Sequence, residues 1–457
     1  MVISKKKNLS LINKIEKIIP GGAHTYSRGS DQFSENVPQI LTRGKGAYLF
    51  YKKKKFLDFG MGLRSVNIGY AENKINQSAI SQINKGNNLT RPSEIEYEAA
   101  KKLVNLIDSV DMVKFTKNGS SAVTAAVKLA RAYTKKEYVL RCKQQPFFSY
   151  DDWFIGSTVI KKGITKDTIK KTIFFDYNDI ESIKKNISKH KNKIACIVLE
   201  PAFTECPRQN NQSGCCSNKK CDRAFKKKSN FLKDVGKICK RNKIIFILDE
   251  MITGFRWHLK GAQFMYGIKP DLSTFGKAMA NGFSVAAVGG KKKIMNLGSI
   301  DKKNRERLFL LSTTHGAEMS GLGAFVETLK YLKKNDVIKK NWYFGYKLKN
   351  EMNSISKKHG LINYFKVLGP SCSPYYVCKN KKFEISQEFK TLFIQEMFKH
   401  GVLIPWISIC YKHGNKEIKI VRNALEKTLK VYKLALKKGA KKYINGKIVK
   451  PVFRKFN

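Results

Sequence analysis

Phe246-Ile-Leu-Asp249-Glu-Met-Ile-Thr-Gly254 is followed, a short stretch later, by Pro270-Asp-Leu-Ser-Thr-Phe-Gly-Lys277-Ala-Met-Ala-Asn-Gly282. The first segment is an apolar run that ends in a carboxylate. Its length is that of a strand buried on both faces, and such strands belong to parallel sheets covered by helices. In open sheets of that kind ligands gather beyond the carboxyl ends of the strands. Asp249 stands at such an end, where a buried carboxylate is costly unless a cation faces it. The second segment sets a lysine among small residues, with Gly276 before it and Ala278, Ala280 and Gly282 after it. Small residues let a flat ring approach closely. A partly buried lysine has a lowered pKa and attacks an aldehyde more readily.

Each residue has an ordinary explanation when taken alone. Asp249 could cap a following helix, and Lys277 could be one more surface lysine. Together, in this order and with Gly254 between them, they have the layout of a pyridoxal phosphate (PLP) site. Lys277 would form the Schiff base, and Asp249 would keep the pyridinium nitrogen protonated so that the ring acts as an electron sink. A third segment, Asn118-Gly119-Ser120-Ser121-Ala122, joins a strand to a helix. Its backbone N–H groups and hydroxyls suit a phosphate, although a plain serine N-cap reads equally well from the residues alone.

The rest of the chain alternates in the same manner. Strand-length apolar runs fall at 111–115, 138–141, 172–175, 194–199 and 244–248, and helical patterns at 120–133, 180–190 and 231–240 separate them. Alternating buried strands and helices predict an α/β domain with a parallel sheet. From about residue 320 the character changes to long helical patterns at 320–333, 387–400 and 419–438, which suggests a smaller α+β domain. The sequence holds no internal repeat and no low-complexity linker.

Bulk properties set the outer limits. The 457 residues suffice for two domains, and 42% hydrophobic with 27% charged residues is an ordinary globular composition. The N-terminal lysines and the isoleucines that follow fit an amphipathic helix ending at Pro20 better than a signal peptide, because charged residues interrupt the apolar run. A cytoplasmic protein with no membrane partner is expected. The formal charge of +54 raises the question of a nucleic acid. The lysines are spread along the whole chain without an aromatic stripe, however, so solvated faces and no nucleic-acid partner are expected. Ten cysteines occur. Without a secretory signal a disulfide framework is not expected. The cluster Cys206, Cys215, Cys216 and Cys221 lacks the paired C-x-x-C spacing of a structural zinc site. A basic surface insertion is expected there, and no metal.

Three segments in order resemble the class III (subgroup II) PLP-dependent aminotransferases, most closely the branch that contains glutamate-1-semialdehyde 2,1-aminomutase. They are Lys117-Asn-Gly-Ser-Ser-Ala-Val-Thr-Ala-Ala-Val-Lys-Leu-Ala-Arg131, Leu248-Asp-Glu-Met-Ile-Thr-Gly-Phe-Arg256 and the stretch 270–290. Ile19-Pro-Gly-Gly-Ala-His-Thr-Tyr-Ser-Arg28 and Thr313-Thr-His-Gly316 add to it. The resemblance runs from about residue 15 to the C-terminus. It implies PLP-dependent transferase fold type I, with a large domain carrying a mostly parallel, seven-stranded type of sheet and a smaller α+β C-terminal domain. The expected division is 1–60 as an N-terminal segment, 61–315 as the PLP-binding domain and 316–457 as the small domain.

The resemblance also implies roles. Lys277 would be the Schiff-base lysine and proton carrier, Asp249 the pyridinium partner, and Met251 the residue packed under the ring. Gly119, Ser120 and Ser121 would form the phosphate turn, and Phe147 would take the place of the aromatic stacked on the ring. Glu200 and Glu205 fall in the segment where one glutamate lies near the ring 3′ oxygen. Thr314 would reach the phosphate of a neighbouring subunit, which implies a homodimer with shared sites. Arg28 would hold a substrate carboxylate. Three departures stand out. Phe147-Phe148-Ser149 replaces the family's Tyr-His-Gly, Ala122 stands where a glutamate is usual, and the loop 405–413 carries no acid. They favour an aminotransferase, moving an amino group between an amino-acid donor and a carbonyl acceptor, over the aminomutase, an isomerase that moves it within one molecule.

Overall fold

The computed structural model describes residues 5–203, 205–208, 229–301, 304 and 306–457. The chain divides into two compact units, one formed by residues 1–72 with 339–454 and the other by 73–338 with the last three residues. The expected breaks at 60 and 315 therefore shift to 72 and 338, and the N-terminal segment is no separate body. Its hydrogen bonding explains why. Strands β1 (Arg43–Lys45), β2 (Tyr48–Tyr51) and β3 (Lys54–Asp58) form an antiparallel meander. The outer strand β3 then accepts a strand from the far end of the chain, described below.

The second unit carries the large sheet. Its strands are β4 (Met112–Thr116), β5 (Tyr138–Cys142), β6 (Thr172–Phe175), β7 (Ile194–Leu199), β8 (Ile245–Asp249), β9 (Leu272–Phe275) and β10 (Ala286–Gly290). They lie in the order β4-β10-β9-β8-β7-β5-β6, and only β10 runs antiparallel to its neighbours. This is the mostly parallel seven-stranded sheet that the resemblance implies. β7 and β8 are buried at every position, as their unbroken apolar runs require. β9 and β10 were not marked as strands from the sequence. They lie within the lysine segment, where Gly276, Gly289 and Gly290 weaken the strand pattern.

Helices follow the expected spans closely. Gly119–Thr134 is capped by Asn118, whose side chain accepts from the Ser121 N–H, and Phe231–Arg241 is capped by Asn230 through the Lys233 N–H. Each such cap contributes about 1 kcal/mol. The N-terminal helix is Lys5–Glu16, short of the expected end at Pro20.

The first unit is completed by β11 (Phe365–Leu368), β12 (Tyr375–Cys378) and β13 (Val402–Leu403). β13 pairs in parallel with β3, with Val402 opposite Leu57 and Leu403 opposite Asp58. Around them pack Val337–Lys358, Gln387–Lys399 and Asn415–Lys438. Their apolar stripes meet in one core that includes Phe59, Leu348, Phe365, Phe393, Val421 and Tyr432.

Cys142, Cys196, Cys239, Cys372, Cys378 and Cys410 are buried free thiols, acting as small apolar side chains. Cys206 differs from expectation: it is buried and disulfide-bonded. Cys215, Cys216 and Cys221, and the lysines at 226–228, lie outside the described residues. Among the described residues there is no group of three or more His, Cys, Asp or Glu that could hold a metal ion, and no helix long and apolar enough to cross a membrane.

Gly345 lies where backbone packs tightly against backbone in the first unit. A Cβ there would stand 1.7 Å from the Ser371 carbonyl oxygen and 2.5 Å from the Ile409 side chain. Backbone cannot yield as a side-chain tip does. Gly345→Ala is expected to cost on the order of 3 kcal/mol, read as a lowered urea midpoint, whereas Gly360→Ala, with nothing near the added methyl, is limited to the strain of its positive φ.

Candidate active site

Asp249 ends β8, the middle strand of the seven, and is almost fully buried. Two donors hold its Oδ1, the Met251 N–H at 2.8 Å and the Thr274 hydroxyl at 3.2 Å. Thr274 sits directly opposite it on β9. Three residues further along, β9 delivers Lys277. Burial pushes the Asp249 carboxyl up to about 6, while the positive charge of Lys277 and the two hydrogen bonds pull it down. Asp249 and Lys277 thus interact electrostatically.

Lys277 opens a short turn of 3-10 helix with φ of +44°. A left-handed backbone at a non-glycine residue carries strain of about 1–3 kcal/mol. Met251 joins this turn to the turn at Gly119. A Cβ on Gly119 or on Gly276 would each lie 2.7 Å from the Met251 sulfur. The two glycines are therefore required by one side chain, which wedges between the turn before Lys277 and the turn that begins the helix Gly119–Thr134.

That helix begins with the capped turn 118–121, a place where backbone N–H groups suit an anion, and its two serines differ. Ser120 is buried, and its Oγ accepts from the Tyr150 N–H at 3.1 Å. Ser121 faces a cleft of about 810 Å³, which Lys117, Asn118, Tyr150 and Thr314 also line. The Tyr150 hydroxyl lies 3.5 Å from Ser121 Oγ. Thr314 is exposed, and its carbonyl accepts from Asn88 Nδ2. Of the aromatic pair, Phe148 is buried, whereas Phe147 is half-exposed and packs edge-on against Phe154 at 5.7 Å. Phe147 is therefore the more exposed ring of the pair.

The two glutamates separate as well. Glu200 is buried just beyond the end of β7. Glu205 is exposed, bonded to Asn178 Nδ2 at 3.1 Å and beside Arg208. Arg28 belongs to the other unit. It ends the turn Tyr26–Arg28 and lines a cavity of about 370 Å³ together with Asp58, Tyr70 and Trp406.

Several participants were not read from the sequence. Thr274 was hidden because its partner comes from the neighbouring strand. Glu250, beside Asp249, is buried and held by Thr253, by the N–H groups of Ala262 (2.9 Å) and Gln263 (2.8 Å), and in a niche that only Gly261 allows. It fixes the segment after β8. Asp58 ends β3, accepts from Gly60 N, Met61 N and the Tyr70 hydroxyl, and is raised to about 6 by burial. The signal for it was present, since Phe56-Leu57-Asp58 is again an apolar run that ends in a carboxylate.

A buried carboxylate raised to about 6, at the carboxyl end of the central strand and facing a lysine, fits a group that supplies a further positive charge. A protonated pyridinium nitrogen is such a charge, so the residues present fit PLP. A mostly parallel seven-stranded sheet with this lysine–aspartate pair defines a fold type I PLP-dependent transferase. Residues 30–410 match the family described as Aminotransferase class-III, and the chain belongs to that family. The 3-aminobutyryl-CoA aminotransferase of Cloacimonas acidaminovorans is 27% identical over 93% of this chain and 96% of its own length. The glutamate-1-semialdehyde 2,1-aminomutase of Wigglesworthia glossinidia brevipalpis is 30% identical, over 93% and 98%. The FumI protein of Sphingopyxis sp. MTA144, solved with PLP, superposes with a TM-score of 0.81 at 22% identity, covering 94% of this chain and 98% of that one.

The raised Asp249 has a sign that can be checked without activity. Its folded-state pKa lies above its unfolded value, so in the cofactor-free protein it costs nothing below about pH 4. The cost grows as pH rises toward 6 and then stays, on the order of 3 kcal/mol. Asp249→Asn is therefore expected to make the cofactor-free protein less sensitive to the change from pH 4 to pH 7.5. Urea midpoints of both proteins at both pH values measure this. Parallel losses in the two proteins would refute it.

Proposed function

We propose that this class III, PLP-dependent enzyme is an aminotransferase with separate amino donor and carbonyl acceptor, working as a homodimer in the cytoplasm. The observation that carries the chemistry is the buried Asp249 facing Lys277 at the ends of adjacent strands. PLP, when bound, supplies the electron sink that stabilises negative charge at the substrate α-carbon. The chain does the rest. Lys277 Nζ would be the group that anchors the cofactor and, as a general base, would carry the proton taken from the substrate α-carbon. Asp249 keeps the ring nitrogen protonated, and Thr274 and the Met251 N–H fix that carboxylate. Gly119, Ser120 and Ser121 would hold the cofactor phosphate, Met251 and Phe147 would pack against its ring, and Glu200 would face its 3′ oxygen. Glu205, engaged with Asn178 and Arg208, is assigned the outer edge of the same segment.

Separate donor and acceptor follow from the loop 405–413. It brings apolar and aromatic groups and no acid. Trp406 donates to the Gly60 carbonyl at 3.1 Å, and His413 stacks between Phe59 and Phe344. Arg28, on the rim of a cavity of about 370 Å³, suits a small substrate with a carboxylate. The alternative, intramolecular transfer by an aminomutase, has the 30% identical relative in its favour.

Exposed Ile80, Ile83, Leu89 and Tyr97 lie close together in the chain and support a face covered by a second copy, which would bring Thr314 to the neighbouring phosphate. The six free thiols among the described residues support a reducing compartment, and the disulfide at Cys206 counts against it.

Mixed with L-glutamate and no acceptor, the PLP-loaded protein is expected to lose the visible band of the cofactor as 2-oxoglutarate appears. Lys277→Ala is expected to lower turnover by at least ~10⁴-fold. Conversion of an amino-aldehyde with no oxo acid present would select the aminomutase instead. Light scattering is expected to give the mass of a dimer, with Thr314→Ala weakening cofactor retention roughly 10-fold and leaving the dimer intact.

A further inference from the structure

β5 lies between β6 and β7, and its regular pairing stops at Cys142. The next residues leave the sheet, yet two successive glutamines continue its hydrogen bonding with their side chains. Gln144 turns toward β6: its Oε1 accepts from the Tyr177 N–H at 3.0 Å, and its Nε2 donates to Asp176 Oδ1 at 2.6 Å. Gln145 turns toward β7: its Oε1 accepts from the Glu200 N–H at 2.8 Å, and its Nε2 donates to the Glu200 carbonyl at 2.9 Å. A side-chain amide that both accepts and donates to one residue does the work of a strand neighbour. Gln145 is 2% exposed and Glu200 3%, so neither has water as a substitute partner.

The turn itself is fixed from behind. Arg141 is buried, with its guanidinium over the rings of Phe154 and Phe174. Its Nε donates to Ser157 Oγ at 2.7 Å, and its Nη1 reaches the carbonyls of Cys142 and Gln145. In front, the Tyr177 hydroxyl donates to the Pro201 carbonyl at 2.5 Å. The backbone of Glu200-Pro201 is thereby held from both flanks although it lies past the last rung of the sheet.

We infer that Gln145 is a positioning residue for the cofactor: by clamping the Glu200 backbone it aims the Glu200 carboxylate at the 3′-oxygen side of the ring. The inference rests on the reading of Glu200 as a neighbour of that ring. A carboxylate aimed there raises the proton affinity of the bound chromophore, and one that has swung away does not. The clamp acts through orientation, so its loss has the same sign as loss of the charge, and the two effects overlap rather than add.

The experiment is a spectrophotometric pH titration of the PLP-loaded protein in the wild type, Glu200→Gln, Gln145→Met and the double variant. Gln145→Glu serves as a second clamp variant that keeps an acceptor for the Glu200 N–H. Glu200→Gln is expected to lower the chromophore midpoint by about one unit, Gln145→Met to lower it in the same direction, and the double variant to go no further. Gln145→Glu is expected to fall between Gln145→Met and the wild type. If Glu200→Gln moves the midpoint and both Gln145 variants leave it in place, or if the two shifts add, Gln145 serves only the sheet and the inference is overturned. If Glu200→Gln leaves the midpoint unmoved, the reading of Glu200 is wrong and the inference falls with it. Melting of the cofactor-free proteins separates a loss of folding from a loss of aim. Wild-type melting with a shifted midpoint supports positioning, and lowered melting with an unshifted midpoint overturns it.

Discussion

A carboxylate buried at the end of the middle strand is the constraint on which the second unit depends. Asp249 is held there against a desolvation cost that pushes its pKa to about 6. The position is tolerable only because three neighbours are in place: the Thr274 hydroxyl, the Met251 N–H and the charge of Lys277. Thr274 and Lys277 both come from β9 and its continuation, so the register of β8 against β9, with Asp249 opposite Thr274, decides whether the pair exists. A one-residue slip would turn Thr274 to the other face of the sheet.

The surroundings of the pair are set by contacts that allow little freedom. Met251 occupies the space beside both Gly119 and Gly276, which ties the phosphate turn and the lysine turn to a single thioether. Glu250, next to Asp249, is spent on structure and anchors the helix Gly261–Tyr266 through the Ala262 and Gln263 N–H groups. Adjacent acids in one strand-end motif thus divide the labour. One faces Lys277 and the other fixes the backbone that leads away. Asp58 repeats the device at the end of β3, where two backbone N–H groups and Tyr70 hold it.

Much of the fold was legible because its signals are local. The unbroken apolar runs at 194–199 and 244–248 became β7 and β8, and the alanine-rich pattern at 120–133 became the helix Gly119–Thr134. β9 and β10 escaped notice, since glycines within and beside them dilute the strand pattern that a sequence window senses. The division of the chain escaped as well. β3 and β13 pair across most of its length, and no local signal reports a partner that distant.

At the candidate site, residue types and order alone singled out Lys277, Asp249 and the serine turn, because each expected role demands one chemistry: an amine, a carboxylate and a cluster of N–H donors. The chain also fixed Phe147 and Phe148 as a pair of rings without saying which one is buried. The tertiary structure decided that by burying Phe148. It likewise separated buried Glu200 from exposed Glu205, turned Ser120 inward and Ser121 toward the cleft, and recruited Thr274, Gln144 and Gln145. The physical reason is common to all of these. A side chain's identity is written in the sequence, but its burial and its hydrogen-bond partners are supplied by strands that become neighbours only when the sheet closes around it.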